Sequence, residues 1–216
     1  MGSSDENIVV AHVGVRLGNG WTEYPGGWPN QIEAALIDAV LGIRARYGHG
    51  ANSGTAATGV PAAVGRWIEK RGGSPVDDLE KLASVDADAL ATTLKNHQVL
   101  SGKNPKASAI VQAANNFVDI GVRHSSEFKP DDVEHQKAYL SVRGLGPVTW
   151  NYFCMLLGAE KVKPDTWIVR FVEEALGRNV SPEEAEGLMM TAAQELGVSP
   201  RKLDHAIWAA MRTSKR

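Results

Sequence analysis

The chain has 216 residues, 43% hydrophobic and 22% charged, with a formal net charge of −2. That is the composition of an ordinary globular protein, enough for one large domain or two lobes, and no run reaches the ~18–20 apolar residues of a membrane helix. One cysteine, Cys154, excludes an intramolecular disulfide and a four-cysteine zinc or iron–sulfur site within this chain.

Residues 8–17, IVVAHVGVRL, alternate apolar and polar positions, which predicts a strand. Gly18-Asn19-Gly20 is a turn signal, and Trp21–Tyr24 pairs back as the second strand of a short β-hairpin. The loop PGGWPN follows. Trp21, Tyr24 and Trp28 either pin this region to the core or stack on nucleobases, an interaction of ~1–3 kcal/mol per base. From Ile32 the period becomes helical, through Leu36, Ile37, Val40, Leu41 and Ile43, ending near Tyr47-Gly48. Residues 48–60 are small and glycine-rich, a loop; Pro61 begins the next helix, with Val64, Trp67 and Ile68 inside.

Ser74-Pro75, Ser181-Pro182 and Ser199-Pro200 each place a serine cap before a proline at the first helical position. Ser84–Ala87 opens another helix. HQVLSGKN, 97–104, interrupts the pattern before Pro105 starts a long helix carrying Ile110, Ala114, Phe117 and Val118. Helices over 131–142 and 148–157 flank a glycine turn, and segments 168–176, 185–196 and 203–211 complete the chain. The expectation is an all-α protein with one small N-terminal β-hairpin and no parallel sheet.

The glycine turn, Gly144-Leu145-Gly146-Pro147, joins two helices. Such a turn gathers backbone N–H groups and a helix N-terminus at one point, a favourable place for a phosphodiester, although most Gly-x-Gly turns only connect helices. Downstream, Lys163-Pro164-Asp165 places proline and an acid at a helix start, where the helix dipole favours negative charge. The same tripeptide occurs at Lys129-Pro130-Asp131, so it is by itself a helix-start signal.

The order of LSVRGLGPVTWNYF, a short connector and KPDTWIVRFV resembles the helix-hairpin-helix–Gly/Pro–Asp superfamily of base-excision DNA glycosylases. The WNYF stretch, Trp150–Phe153, is similar to the alkyladenine branch in particular. NPKASAIVQAANNF, 104–117, resembles the family helix that carries a Lys-Ala pair, and helix 32–47 stands where the family has its first pocket-lining helix.

The resemblance implies a two-lobed helical fold with the substrate cleft between lobes. Residues 31–157 would form the central lobe, and 1–30 with 158–216 a discontinuous second lobe carrying the catalytic aspartate. Asp165 would be the essential carboxylate. Arg143, Gly144, Leu145, Gly146, Val148 and Thr149 would grip the DNA backbone, the amides of Gly144, Leu145, Gly146 and Val148 among them. Neighbouring carbonyls would hold a monovalent cation. Arg44, Asn151, Tyr152 and Trp167 are pocket candidates.

Two departures narrow the expectation. Family members with lyase activity carry a lysine just after the hairpin, where this chain has Val148, and valine forms no Schiff base. Relatives with an iron–sulfur loop need four cysteines. The expected protein is therefore a monofunctional glycosylase without an iron–sulfur cluster or other required cofactor, acting on double-stranded DNA that carries a damaged or modified base. The rival readings are a non-catalytic helix-hairpin-helix DNA-binding module and a helical protein-interaction domain. Asp204-His205 resembles an acid/base pair, but adjacent helical residues point about 100° apart, which favours a cap or ion-pair role. The six histidines show no metal-ligand spacing. The polar start MGSSDEN lacks a secretory pattern, and a cytoplasmic monomer is expected.

Overall fold

The computed structural model describes residues 4–18, 21, 24, 26–51 and 54–213. Among these it contains eleven α-helices: α1 (Ser4–Leu17), α2 (Ile32–Leu41), α3 (Gly59–Lys70), α4 (Leu79–Ala83), α5 (Ala87–Leu94), α6 (Lys106–Asp119), α7 (Val133–Leu140), α8 (Pro147–Leu156), α9 (Thr166–Leu176), α10 (Pro182–Glu195) and α11 (Pro200–Thr213). A 3-10 turn covers Ser101–Lys103. An isolated β-bridge joins Val99 and Pro105, and Thr55 also has bridge geometry. No described helix is long and apolar enough to cross a membrane.

The chain divides into two compact units, one formed by Gly27–Ala159 and the other by Met1–Gly26 with Glu160–Arg216. The larger unit is built around α2, all ten residues of which are buried, because α3, α4, α6 and α8 pack on it. An aromatic group of Phe117, Tyr139, Trp150 and Phe153 fills the space between α6, α7 and α8. The smaller unit packs α1, α9, α10 and α11 around Val9, Val13, Ile168, Phe171, Met189, Leu203 and Ile207.

Three expectations are corrected. The predicted N-terminal β-hairpin is absent: residues 8–17 lie in α1. The alternating set Val9, Ala11, Val13, Val15, Leu17 contains the helical series 9, 13, 17. Val9 and Val13 are buried, whereas Ala11 is exposed and Val15 is 84% exposed, so the four-residue spacing faces the core and the two-residue spacing does not. Asn19, Gly20, Thr22 and Glu23, the rest of that hairpin, lie outside the described residues.

Ser74-Pro75 does not open a helix. The segment is recruited to α2 instead: Asp77 Oδ1 accepts the Ile32 N–H (3.0 Å) and Glu33 Oε1 accepts the Asp78 N–H (2.9 Å). The helix then begins four residues later, with Asp78 as its cap. The two other Ser-Pro sites do precede helices α10 and α11.

The predicted helix 32–47 ends at Leu41. Arg44 has φ +51, a left-handed backbone that stops the helix. Lys106 Nζ donates to the carbonyls of Leu41 (2.9 Å) and Ile43 (2.7 Å), placing a cation at the negative end of α2.

Candidate functional site

The turn between α7 and α8 closes through local bonds. Leu145 N–H donates to Val142 O (3.1 Å), and Gly146 N–H donates to Thr149 Oγ1 (3.0 Å), whose hydroxyl donates back to Gly146 O (2.8 Å). The amides of Leu145 and Gly146, expected to face a phosphate, are therefore occupied inside the turn. Among the described residues those of Gly144 and Val148 have no acceptor, and they stand at the positive end of α8. Gly144 has φ +98, and a Cβ there would meet Leu100 Cβ at 2.7 Å, so both conformation and packing require glycine. At Gly146 a Cβ would meet open space. Leu145 points into the core.

Loop 97–104, which interrupts the helical pattern, forms the floor of this turn. Leu100 packs under Gly144, Asn104 Nδ2 donates to Arg143 O (2.9 Å), and the Arg143 guanidinium lies over Gly102. Arg143 and Lys103 are both exposed, so two cations flank the turn. Lys106 anchors the loop by donating to Gln98 Oε1 (2.8 Å) while holding the end of α2. Burial pushes its ammonium pKa down to about 8. Its buried position and three acceptors make it a structural pin.

Within the same unit, α2 carries two buried acids. Glu33 is a structural hub: Trp67 Nε1 (2.8 Å), Arg71 Nε (3.0 Å) and the Asp78 amide all donate to it. Asp38 is surrounded differently, by aromatic donors. Trp28 Nε1 (2.8 Å) and Tyr47 OH (2.6 Å) donate to Oδ2, and Tyr152 OH (3.1 Å) donates to Oδ1. Asp38 is fully buried, whereas all three aromatics are partly exposed.

Backbone geometry fixes these rings. The Trp28 amide donates to Leu156 O (2.6 Å), and Val60 N–H donates to Tyr47 O (2.8 Å). At Gly48 and Gly59 the two ends of the 48–60 loop cross so closely that a Cβ on Gly48 would sit 2.3 Å from Thr58 O, and one on Gly59 2.3 Å from Tyr47 O. Of the pocket candidates in this unit, Tyr152 joins the Asp38 cluster, its neighbour Asn151 is buried in α8, and Arg44 is exposed just past α2.

In the smaller unit, Asp165 is the N-cap of α9. Its Oδ1 accepts the Trp167 N–H (2.8 Å), while Oδ2 lies 3.9 Å from Lys163 Nζ. The side chain is 26% exposed, so the carboxylate is both positioned and accessible. Trp167 is partly buried on this unit's core. The segment before Asp165 is held from α11: the Lys163 amide donates to Asp204 Oδ1 (2.9 Å). Burial pushes the Asp204 carboxyl pKa up to about 7; the Lys163 amide opposes this, and the charge of Asp165 adds to it. Asp204 thus tethers the catalytic candidate's peptide and does not pair with His205. No group of three or more His, Cys, Asp or Glu side chains suited to a metal occurs among the described residues.

Sequence reasoning missed Asp38, Tyr47 and the tether at Asp204. The signal for Asp38 was present, since Glu33 and Asp38 are the only charges in the otherwise apolar run IEAALIDAVL. A charge inside a fully buried helix must be hydrogen-bonded.

The fold is similar to two solved DNA glycosylase structures. One is a thermostable thymine-DNA glycosylase: 15% identity, 96% of this chain and 86% of that one covered, TM-score 0.58. The other is endonuclease III in a trapped covalent intermediate with DNA: 18% identity, 95% and 85% covered, TM-score 0.56. A third likeness, to MBOgg1 in complex with a low-affinity DNA ligand, has 15% identity and a TM-score of 0.48; it covers 99% of this chain, which spans 61% of that protein's length. No curated protein matches the chain in sequence. The all-α fold is therefore that of the helix-hairpin-helix–Gly/Pro–Asp DNA glycosylases. By sequence, with residues 7–212 matched, the chain belongs to the family described as Domain of unknown function (DUF8548).

Proposed function

We propose that the protein is a monofunctional DNA glycosylase, excising a damaged or modified base from double-stranded DNA by hydrolysis. The observation that carries this reading is Asp165, a partly exposed carboxylate fixed at the head of α9 in a chain with a DNA glycosylase fold. The Gly144 and Val148 amides, with Arg143 and Lys103 beside them, supply the backbone contact, which is independent of base sequence. The carbonyls of Gly144 and Leu145 accept no hydrogen bond among the described residues, so they suit a monovalent cation bridging turn and phosphate.

The chemistry follows from the bond that breaks. As the C1′–N bond opens, its electron pair leaves with the base and positive charge builds on the sugar. The Asp165 carboxylate stabilises that charge. Water oxygen then bonds C1′, and its proton passes to Asp165. The base must first leave the duplex, at a cost of a few kcal/mol.

A lyase step needs an accessible amine. Val148 supplies none at the position just after the hairpin, Lys106 donates to Leu41, Ile43 and Gln98 from a buried position, and Lys163, 3.9 Å from Asp165 Oδ2, is the amine whose replacement by alanine checks the assignment.

The test uses duplexes carrying uracil, alkylated purines, oxidised purines, mispairs or modified cytosines, incubated with the protein and then treated with hot alkali. Strand breaks appearing only after alkali support hydrolysis without lyase activity. Breaks without alkali overturn the monofunctional assignment. Salt-sensitive binding with no product supports the non-catalytic DNA-binding module instead.

A further inference from the structure

We propose that the outer face of α11 grips the DNA backbone through Arg212, with His205 and Trp208 beside it, as a phosphate contact in the smaller unit additional to the glycine turn. The inference rests on DNA as the partner in the reading above, and it is independent of whether or which base is excised.

Arg201, His205, Trp208 and Arg212 follow one another at helical spacing, so they share one side of α11. From the other side Leu203, Ile207 and Met211 enter this unit's core, and Asp204, the helix's one acid, is buried as well. The outer side therefore carries no negative charge of its own. It is partly exposed at Arg201, His205 and Trp208 and exposed at Arg212. Trp208, a large apolar side chain, packs on neither unit's core among the described residues. Its ring instead stacks on His205, with centroids 5.5 Å apart and planes 24° from parallel, and carries the Arg212 guanidinium 4.3 Å from its centroid. His205 in turn meets the Tyr24 ring edge-on at 5.8 Å, which fixes the row of rings.

Elsewhere in this unit Arg16, Arg178 and Arg201 each pair with a carboxylate. Arg212 pairs with a ring and, among the described residues, with no acid. A ring face holds a guanidinium flat without neutralising it, and it leaves the in-plane N–H groups directed outward. The His205 ring nitrogens and Trp208 Nε1 likewise have no hydrogen-bond partner among the described residues, and none of them is sealed from solvent. An ordered, uncompensated fork of donors suits an oxyanion bound through two oxygens, and a phosphodiester is the oxyanion that a duplex presents along its whole length. Lys215 and Arg216 follow in the sequence and add charge of the same sign.

The experiment measures binding of a fluorescein-labelled duplex carrying a tetrahydrofuran abasic analogue, by anisotropy, across roughly 50–200 mM salt. The full chain is used in the Asp165→Asn background, with Arg212→Ala, Arg212→Lys and Trp208→Leu added singly. Lys137→Ala is the control, an exposed cation of the larger unit already paired with Glu134. Thermal melts accompany each variant, and excision is followed separately in protein with Asp165 intact.

Arg212→Ala should bind about fivefold more weakly at ~0.1 M salt and flatten the plot of log Kd against log salt by about 0.9, the slope of one phosphate contact. Arg212→Lys should keep that slope and bind about twofold more weakly, because an ammonium presents no planar fork. Trp208→Leu should also keep the slope and lose about twofold, because the guanidinium is no longer held. An unchanged slope in Arg212→Ala, with or without a lower melting temperature, overturns the proposal, and so does an equal loss of slope in Lys137→Ala. Should Trp208→Leu fail to fold, the two Arg212 variants decide, since Arg212 is exposed in the last turn of the helix. Poly-glutamate captured through Arg212 while DNA binding ignores that residue would assign the face to an acidic protein and overturn the DNA contact. The expected slopes with no excision of any base keep this contact and overturn the hydrolytic reading. Excision with an unchanged slope does the reverse, and the absence of DNA binding at any salt overturns both.

Discussion

The tripeptide Lys-Pro-Asp occurs twice, and its two copies begin helices of different character. At 129–131 the lysine and aspartate are exposed and the proline is only partly buried, and Asp131 stands one residue ahead of the cap. The cap of α7 is Asp132, which accepts the amides of Glu134 (2.9 Å) and His135 (3.3 Å), bonds that hold its carboxyl below the usual range. At 163–165 the proline is buried, Asp165 itself caps α9, and the preceding Lys163 amide is held by the buried Asp204. The register differs because a second acid follows in Lys-Pro-Asp-Asp and a threonine in Lys-Pro-Asp-Thr. The surroundings differ because only the second copy has α11 packed against it, with Asp204 at its amide. A helix-start signal thus fixes where a carboxylate sits on its helix, and the packed neighbour decides whether that carboxylate is set up for anything more.

The largest test of this contrast is Asp165→Asn. Asparagine caps a helix as well as aspartate does, so α9 should stay formed and the melting temperature should change little. Single-turnover excision should fall by on the order of a thousandfold, the scale for losing a preorganised electrostatic group. A variant that still excises refutes the proposed role of Asp165.

Next comes Asp204→Asn, read through pH. The folded carboxyl titrates at about 7, above its ordinary value of 3.8. Between those values the native state keeps a proton that the unfolded chain releases. Stability from this group is therefore complete at acid pH, declines as pH rises toward 7, and is flat beyond. The slope should approach roughly 1 kcal/mol per pH unit at its steepest. Urea midpoints from pH 4 to 8 should show a flatter profile in Asp204→Asn, and identical profiles would mean that Asp204 ionises without penalty.

Asp132→Ala should cost about 1 kcal/mol through loss of the α7 cap, with excision by the folded protein unchanged; denaturant melts and the excision assay together check this. The smallest effect is expected from Asp131→Asn, within about 0.5 kcal/mol in stability and with no change in excision. If Asp131→Asn impaired excision as Asp165→Asn does, the distinction between the two copies would be lost.

Several features are legible in the amino-acid order alone. The turn at Gly144–Pro147, the cap at Ser181 and the long helix after Pro105 all rest on rules that act within four or five residues. The same short range explains the failures. An alternating apolar segment such as 8–17 contains a four-residue period too, and only its packing against α9 and α10 selects the helix. Ser74-Pro75 carries a sound local signal, yet Glu33 and the amide of Ile32 claim the residues that follow it.

The sequence by itself determined a predominantly helical chain, the glycine turn, an aspartate at a helix head, and the absence of an amine at Val148. Local periodicity, caps and side-chain identity suffice for each of these. Tertiary structure alone decided which turn amides stay available, how loop 97–104 supports them, and what surrounds Asp38, Asp165 and Asp204. The physical reason is distance along the chain. Tyr152 reaches Asp38 across 114 positions and Asp204 reaches Lys163 across 41. A buried polar group takes its character from such partners, and local sequence rules do not specify which of them it will meet.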